Sequence, residues 1–337
     1  MDIFKDGVLV DVNVSFWSGS KILTPEDLGL KESQVAEAYK LGKKLLIPQE
    51  VIRSFRAVEG RARRVVEENS FPFPIGHARF IPKKKFIKVL EVLKECQVQY
   101  NSLVETLITN YNSYRDQMVP IYQQAAETAF TSQEPSEQTF SIEDREAKKI
   151  EFMSLFLARI QSFYPDAESL RNKFSLSWDI YEIAMPKMKK VEDIAIEKAE
   201  TQRAVAEEEY RVQAQQKIGG FIEEVVNTLR QETVTLCNHV ATNIQEGKVV
   251  KGQTLNSLRD FVEKFSELNF VGDSRIETQL ENLKRDFLDV HTSEQVSETA
   301  DLQEELKKRL NGIALIASDM TDINSVTGEY RRRIDWE

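Results

Sequence analysis

Residues 218–244 read IGGFIEEVVNTLRQETVTLCNHVATNI, and this stretch decides the class of fold. Ile222, Val226, Leu229, Thr233, Leu236, Val240 and Ile244 recur at spacings of three and four, the interval that lines up side chains on one face of an α-helix. Such a stripe wants a partner helix. Outward from it, almost nothing between Pro186 and Gln245 breaks a helix except Gly219-Gly220, a pair expected to act as a hinge or a site of close packing. A continuous helix of that length would extend roughly 90 Å. Its first half, EKAETQRAVAEEEYRVQAQQK, offers only Ala199, Val205 and Val212 as a thin seam.

Downstream, residues 247–252 turn the chain, and helices are expected over 254–268, 274–290 and 294–318. The second carries Ile276, Leu280, Leu283 and Phe287 on one face, the third Leu302, Leu306, Leu310 and Ile313. They can fold back on the long helix. Residues 319–337 are expected to be loosely held, with Ile334 and Trp336 available to dock.

Upstream, Val8, Val10, Val12, Val14 and Phe16 alternate with Leu9, Asp11, Asn13, Ser15 and Trp17, the period of a strand with one buried face. Thr24-Pro25-Glu26-Asp27 supplies a capping hydroxyl, a proline at the first helical position and acid at the free N–H groups. A helix is therefore expected to start at Pro25, pause near Gly29 and resume through the thirties. The next helix is expected over 48–69, burying Ile52, Phe55, Ala62, Val65 and Val66. Three prolines and a glycine in FPFPIGHARFIP exclude helix and leave a short edge strand near 78–82. Helical spacing returns from Lys84 to about Thr131, with Pro120 expected to kink or divide it. A polar loop over 131–141, a helix over 142–163 and a strand over 173–184 follow.

These elements predict a mainly α, elongated helical or coiled-coil protein with a small β-sheet built from the distant segments 7–17, 78–82 and 173–184. Residues 1–185 read as a mixed base, 186–318 as the long helix and an antiparallel helical arm, and 319–337 as the tail.

The net charge of −10 is unevenly spread: residues 1–95 hold 17 Lys and Arg against 13 Asp and Glu, or +4, leaving −14 for the remainder. Attraction for polyanions is therefore confined to the N-terminal part. Cys96 and Cys237 sit far apart in helical patterns and read as buried thiols. Nothing resembles a secretory signal or an 18-residue apolar span, so a cytoplasmic location is expected.

The chemistry-bearing patterns are few. In SGSK (18–21), Gly19 stands alone and Lys21 is followed by Ile22, which does not meet the frame of a phosphate loop. His77, His239 and His291 are isolated from one another and from cysteine, so no metal is expected. No cofactor, catalytic elbow or enzymatic activity is expected either. Arg53, Arg56, Arg63 and Arg64 share one side of a helix, and Lys83, Lys84, Lys85 and Lys88 follow. This candidate anion- or partner-binding set either meets phosphates or an acidic protein, or pairs internally with acids such as Glu59, Glu67 and Glu68. The internal reading is the favoured one.

DGVLVDVNVSFWSGSKILTPEDLGL, the arginine-rich helix running into FPFPIGHARFIPKKKF, and NYNSYRDQM together resemble a bacterial and phage family of unknown function. Its members tend to be encoded beside a MoxR-type AAA ATPase and a protein with a von Willebrand factor A domain. The likeness is best over the first 120 residues and extends loosely to SLSWDIYEIAMP. It implies an adaptor, substrate or scaffold of an ATPase system and assigns no catalytic residue. A non-enzymatic interaction protein is the leading expectation; a nucleic-acid-associated protein using the basic helix face and a membrane-active helical bundle are the alternatives. Homo-oligomer formation stays open.

Overall fold

The computed structural model describes residues 3–36, 39–74, 76–133, 142–181, 197–319 and 321–333. In chain order the strands are β1 (Gly7–Ser15), β2 (Ser20–Ile22), β3 (Lys43–Leu45), β4 (Phe71–Pro72), β5 (Arg79–Pro82) and β6 (Ser175–Tyr181). The helices are α1 (Gln49–Glu68), α2 (Lys83–Thr109), α3 (Tyr111–Gln133), α4 (Ile142–Ser162), α5 (Ala167–Arg171), α6 (Glu197–Gln245), α7 (Gly252–Leu268), α8 (Ser274–Leu283), α9 (Ser293–Glu298), α10 (Ala300–Ser318) and α11 (Ile323–Arg333). The protein is mainly α with a minor sheet, as the apolar periodicities require.

Two compact units divide the chain: Met1–Asp11, Val66–Leu90 and Asp179–Glu337 form one, Val12–Val65 and Glu91–Trp178 the other. Neither is a single run of sequence.

In the first unit α6 is the central element. Ile222, Val226, Leu229, Thr233, Val240 and Ile244 are buried along it, with Leu236 partly so. Leu306, Leu310 and Ile313 of α10 and Leu255, Leu258 and Phe265 of α7 join the same core. α6 runs through Gly219-Gly220 without interruption, and a side chain at Gly220 would meet open space, so close packing is not what Gly220 serves. Val212 of the expected seam is exposed; the side chains of Ala199 and Val205 lie outside the described ones, as do residues 186–196 of the expected helix. β5 pairs antiparallel with β1 (Gly7 opposite Pro82, Val10 opposite Arg79) and with β4. Phe73, Phe80, Phe221 and Phe270 interlock beneath it at centroid distances of 4.9–6.4 Å.

Within the expected tail, Ile323–Arg333 form α11. α11 packs on α6 and buries Thr327 and Tyr330, whose hydroxyl donates to Asp6 Oδ2 at 2.7 Å. Docking of Ile334 and Trp336 lies outside the described residues. Two expected helices are also interrupted: α8 passes into a π-helical turn, Lys284–Leu288, and Thr299 separates α9 from α10.

In the second unit α1 buries Ile52, Phe55, Val58 and Ala62. Phe55 meets Tyr100 of α2 at 5.2 Å and Phe174 at 4.7 Å. A second cluster gathers Leu46, Met118, Tyr122, Ala126, Ala129, Phe156 and Ile160 between α3 and α4. The break between α2 and α3 falls at Asn110 and not at Pro120, which lies inside α3. Asn110 turns its side-chain amide onto the Thr106 carbonyl at 2.9 Å, a local bond that competes with helix continuation.

Strand order in the larger sheet is β4-β5-β1-β6, so the three predicted strand segments do meet in one sheet. β1 departs from the expected single buried face: Leu9 and Val10 point to opposite sides and both are buried. From Pro25 the chain makes only one 3-10 turn, Pro25–Leu28, and the thirties hold another, Glu32–Gln34; residues 37 and 38 lie outside the described ones. Gly29 stops the first turn in the left-handed region, at φ 71°. β2 and β3 form an unforeseen antiparallel ribbon, three residues each, too short to show alternation.

Candidate functional site

Because α1 turns its apolar stripe inward, Arg53, Arg56, Arg63 and Arg64 are all exposed. The structure brings the four onto one helix face, spread over about 16 Å of axis at the usual helical rise. Arg63 pairs with Glu59 at 2.9 Å, one turn away, and Arg53 reaches Gln49 Oε1 at 3.3 Å. Among the described residues Arg56 and Arg64 have neither an ion pair nor a hydrogen-bonded side-chain partner, and Glu67 and Glu68 pair with none of the four. Internal pairing accounts for Arg63 alone.

The lysines behave differently, and they sit in the other unit. Lys85 and Lys88 both pair with Glu267, and Lys84 donates to the Ser266 carbonyl at 3.2 Å. Burial by itself would raise the Glu267 carboxyl, but the hydrogen bonds from Lys85 and Lys88 outweigh it and hold the group below its ordinary range. These lysines fasten the start of α2 to α7. Lys83 is exposed and meets no acid among the described residues.

Two charged clusters were not legible in the sequence. The first centres on Asp27, which caps its own turn by accepting from the Thr24 N–H at 2.8 Å and the Thr24 hydroxyl at 3.0 Å. Its side chain is 3% exposed, yet Lys44 Nζ lies 2.6 Å from Oδ2 and Arg159 reaches Oδ1. The Phe163 ring lies 4.6 Å from the Lys44 ammonium, a further partner for the cation. Burial alone would raise the Asp27 carboxyl; hydrogen bonding from Lys44 and Thr24, with the Lys44 charge, reverses this and holds it low. Only the Thr24-to-Asp27 spacing hinted at this cluster.

The second lies in the first unit. Arg230 is fully buried in α6, where the helical stripe suggests an apolar residue or a solvated one. It donates to Asp273 Oδ2 at 2.7 Å, to Asp322 Oδ1 at 2.6 Å and to the Asp319 carbonyl at 2.6 Å. Arg275 closes the group from outside, 3.1 Å from Asp322. Hydrogen bonding from Arg230 is the main influence holding the Asp322 carboxyl low. Arg230 Nη2 and Asp273 Oδ1 are buried without a partner. Both clusters consume their charges internally, so they read as fold-fixing groups.

SGSK leads into β2, where the Gly19 carbonyl accepts from the Leu46 N–H at 2.8 Å. Cys96 and Cys237 are buried, and burial pushes the Cys237 thiol up to about 12. Among the described residues, no three His, Cys, Asp or Glu gather as metal ligands, and no helix is long and apolar enough to cross a membrane.

The fold is that of a mainly helical protein with a small antiparallel sheet and an exposed arginine face, of which Arg56 and Arg64 have no side-chain partner among the described residues. The chain belongs to the family described as "Protein of unknown function (DUF3150)", whose profile matches residues 4–304. No curated protein and no solved structure matches it.

Proposed function

We propose that the chain is a non-enzymatic interaction protein, an adaptor or scaffold in the cytoplasm, that engages an acidic protein surface through Arg53, Arg56, Arg63 and Arg64. The observation that carries this reading is the state of Arg56 and Arg64: exposed, on one rigid helix, and unpaired among the described residues. Guanidinium groups present planar forks suited to carboxylates, and a helix fixes their spacing. The stretches quoted above suggest the partner, a MoxR-type AAA ATPase or a von Willebrand factor A-domain protein. Copurification of the tagged full chain with such an ATPase, lost on R56E/R64E, tests it. Nucleic acid is the competing occupant of the same face. A DNA mobility shift that weakens steeply with salt, and that vanishes in R56E/R64E, would replace the protein partner.

A further inference from the structure

A second place on the molecule carries a different chemistry. Between α3 and α4, within the second unit, lies an open cavity of about 420 Å³, in the range of small-molecule sites, roughly 300–1,000 Å³. Val119, Leu157 and Ile160 supply its apolar wall. Arg115 stands at its rim with the guanidinium carbon 4.8 Å from the Tyr164 ring centroid and 5.8 Å from that of Tyr111. Stacking on aromatic faces restrains the guanidinium plane while leaving its N–H fork free. Among the described residues Arg115 has no carboxylate and no hydrogen-bond acceptor. Asp116, on the same rim, makes no ion pair with it.

The platform beneath is fixed by its own hydrogen bonds. Tyr164 donates to the Leu46 carbonyl at 2.6 Å, Tyr111 to the Pro165 carbonyl at 2.9 Å and Tyr122 to the Leu45 carbonyl. Burial pushes the Tyr111 hydroxyl up to about 12, so it remains a donor at any ordinary pH. With the hydroxyls committed to backbone, the polar groups left to meet a ligand are Arg115, the side-chain amides of Asn112 and Gln161, and the exposed Asp116 carboxylate, which an anion held by Arg115 must avoid.

We infer that this cavity binds a small organic anion, a carboxylate or phosphate carried on an apolar body, with Arg115 holding the charged head and the Val119–Leu157–Ile160 wall covering the body. Isothermal titration of the full chain with sodium benzoate, phenyl phosphate, benzyl alcohol and inorganic phosphate tests it. Benzoate or phenyl phosphate should bind at least about ten-fold more tightly than benzyl alcohol, the effect of one charge-assisted forked contact. Whichever binds better identifies the head group. Arg115→Gln should bring the anion down to the level of the alcohol. Val119→Trp, at a partly exposed position, should abolish binding of anion and alcohol while leaving the melting transition in place. Equal binding of benzoate, phenyl phosphate and benzyl alcohol would overturn the inference, as would Arg115→Gln binding within about two-fold of wild type. Inorganic phosphate binding as tightly as phenyl phosphate would overturn the role of the apolar wall.

Discussion

Asp27 keeps its charge in a buried site because Lys44, Arg159 and both Thr24 donors meet it. Asp27→Asn leaves two cations without their counter-charge and should cost about 3–5 kcal/mol in urea unfolding at neutral pH. The pH dependence has a definite sign. The folded carboxyl titrates below its unfolded value, so its contribution is complete above the ordinary carboxylate range, about 4, and is lost as pH falls through the folded value. The gap between wild type and Asp27→Asn should therefore narrow below about pH 4; a gap constant from pH 7 to 3 would contradict an ionised Asp27. Arg230→Met should likewise cost about 3–5 kcal/mol, because Asp273 remains buried without its cation, while the partly exposed Asp322 keeps only Arg275. Unfolding within about 0.5 kcal/mol of wild type would show that the network contributes little. Neither cluster could be read from spacing. Asp27 and Arg159 are 132 residues apart, Arg230 and Asp322 are 92 apart, and local periodicity holds no information on such pairings.

Among the elements, α6 was the most legible: six of the seven stripe residues named from the sequence are buried. Burial of a stripe is a local consequence of helical spacing. Short elements were not legible, because β2 and β3 are held by pairing and not by pattern. Glycines were ambiguous for the same reason, since a helix interior and a left-handed cap need different backbones from one residue type. Gly220→Ala should stabilise by about 0.5–1 kcal/mol, as its added methyl meets open space in a continuous helix. Gly29→Ala should lose at least about 1–3 kcal/mol, because its backbone is left-handed and a Cβ would lie 2.3 Å from the Ala129 carbonyl oxygen. Thermal melts of the two variants should move in opposite directions. A downward shift for Gly220→Ala would show a bend at that point of α6.

For the molecule as a whole, an overall charge of −10 coexists with one arginine face whose charges are not all consumed at home. The basic pattern was visible in the sequence; its division was not. Lys85 and Lys88 found Glu267, which lies 179 residues beyond Lys88, whereas Arg56 and Arg64 found no partner among the described residues. The sequence also could not show that both compact units are assembled from separated segments, because that depends on which distant faces match. The proposed adaptor reading stands on the arginines, and affinity copurification of the tagged full chain with a MoxR-type AAA ATPase, the proposed partner, tests it most directly. Capture by wild type that falls at least about ten-fold in R56E/R64E, with unchanged melting and recovery in R56K/R64K, is the predicted result. Equal capture by wild type and R56E/R64E would contradict the claim that this face engages the partner.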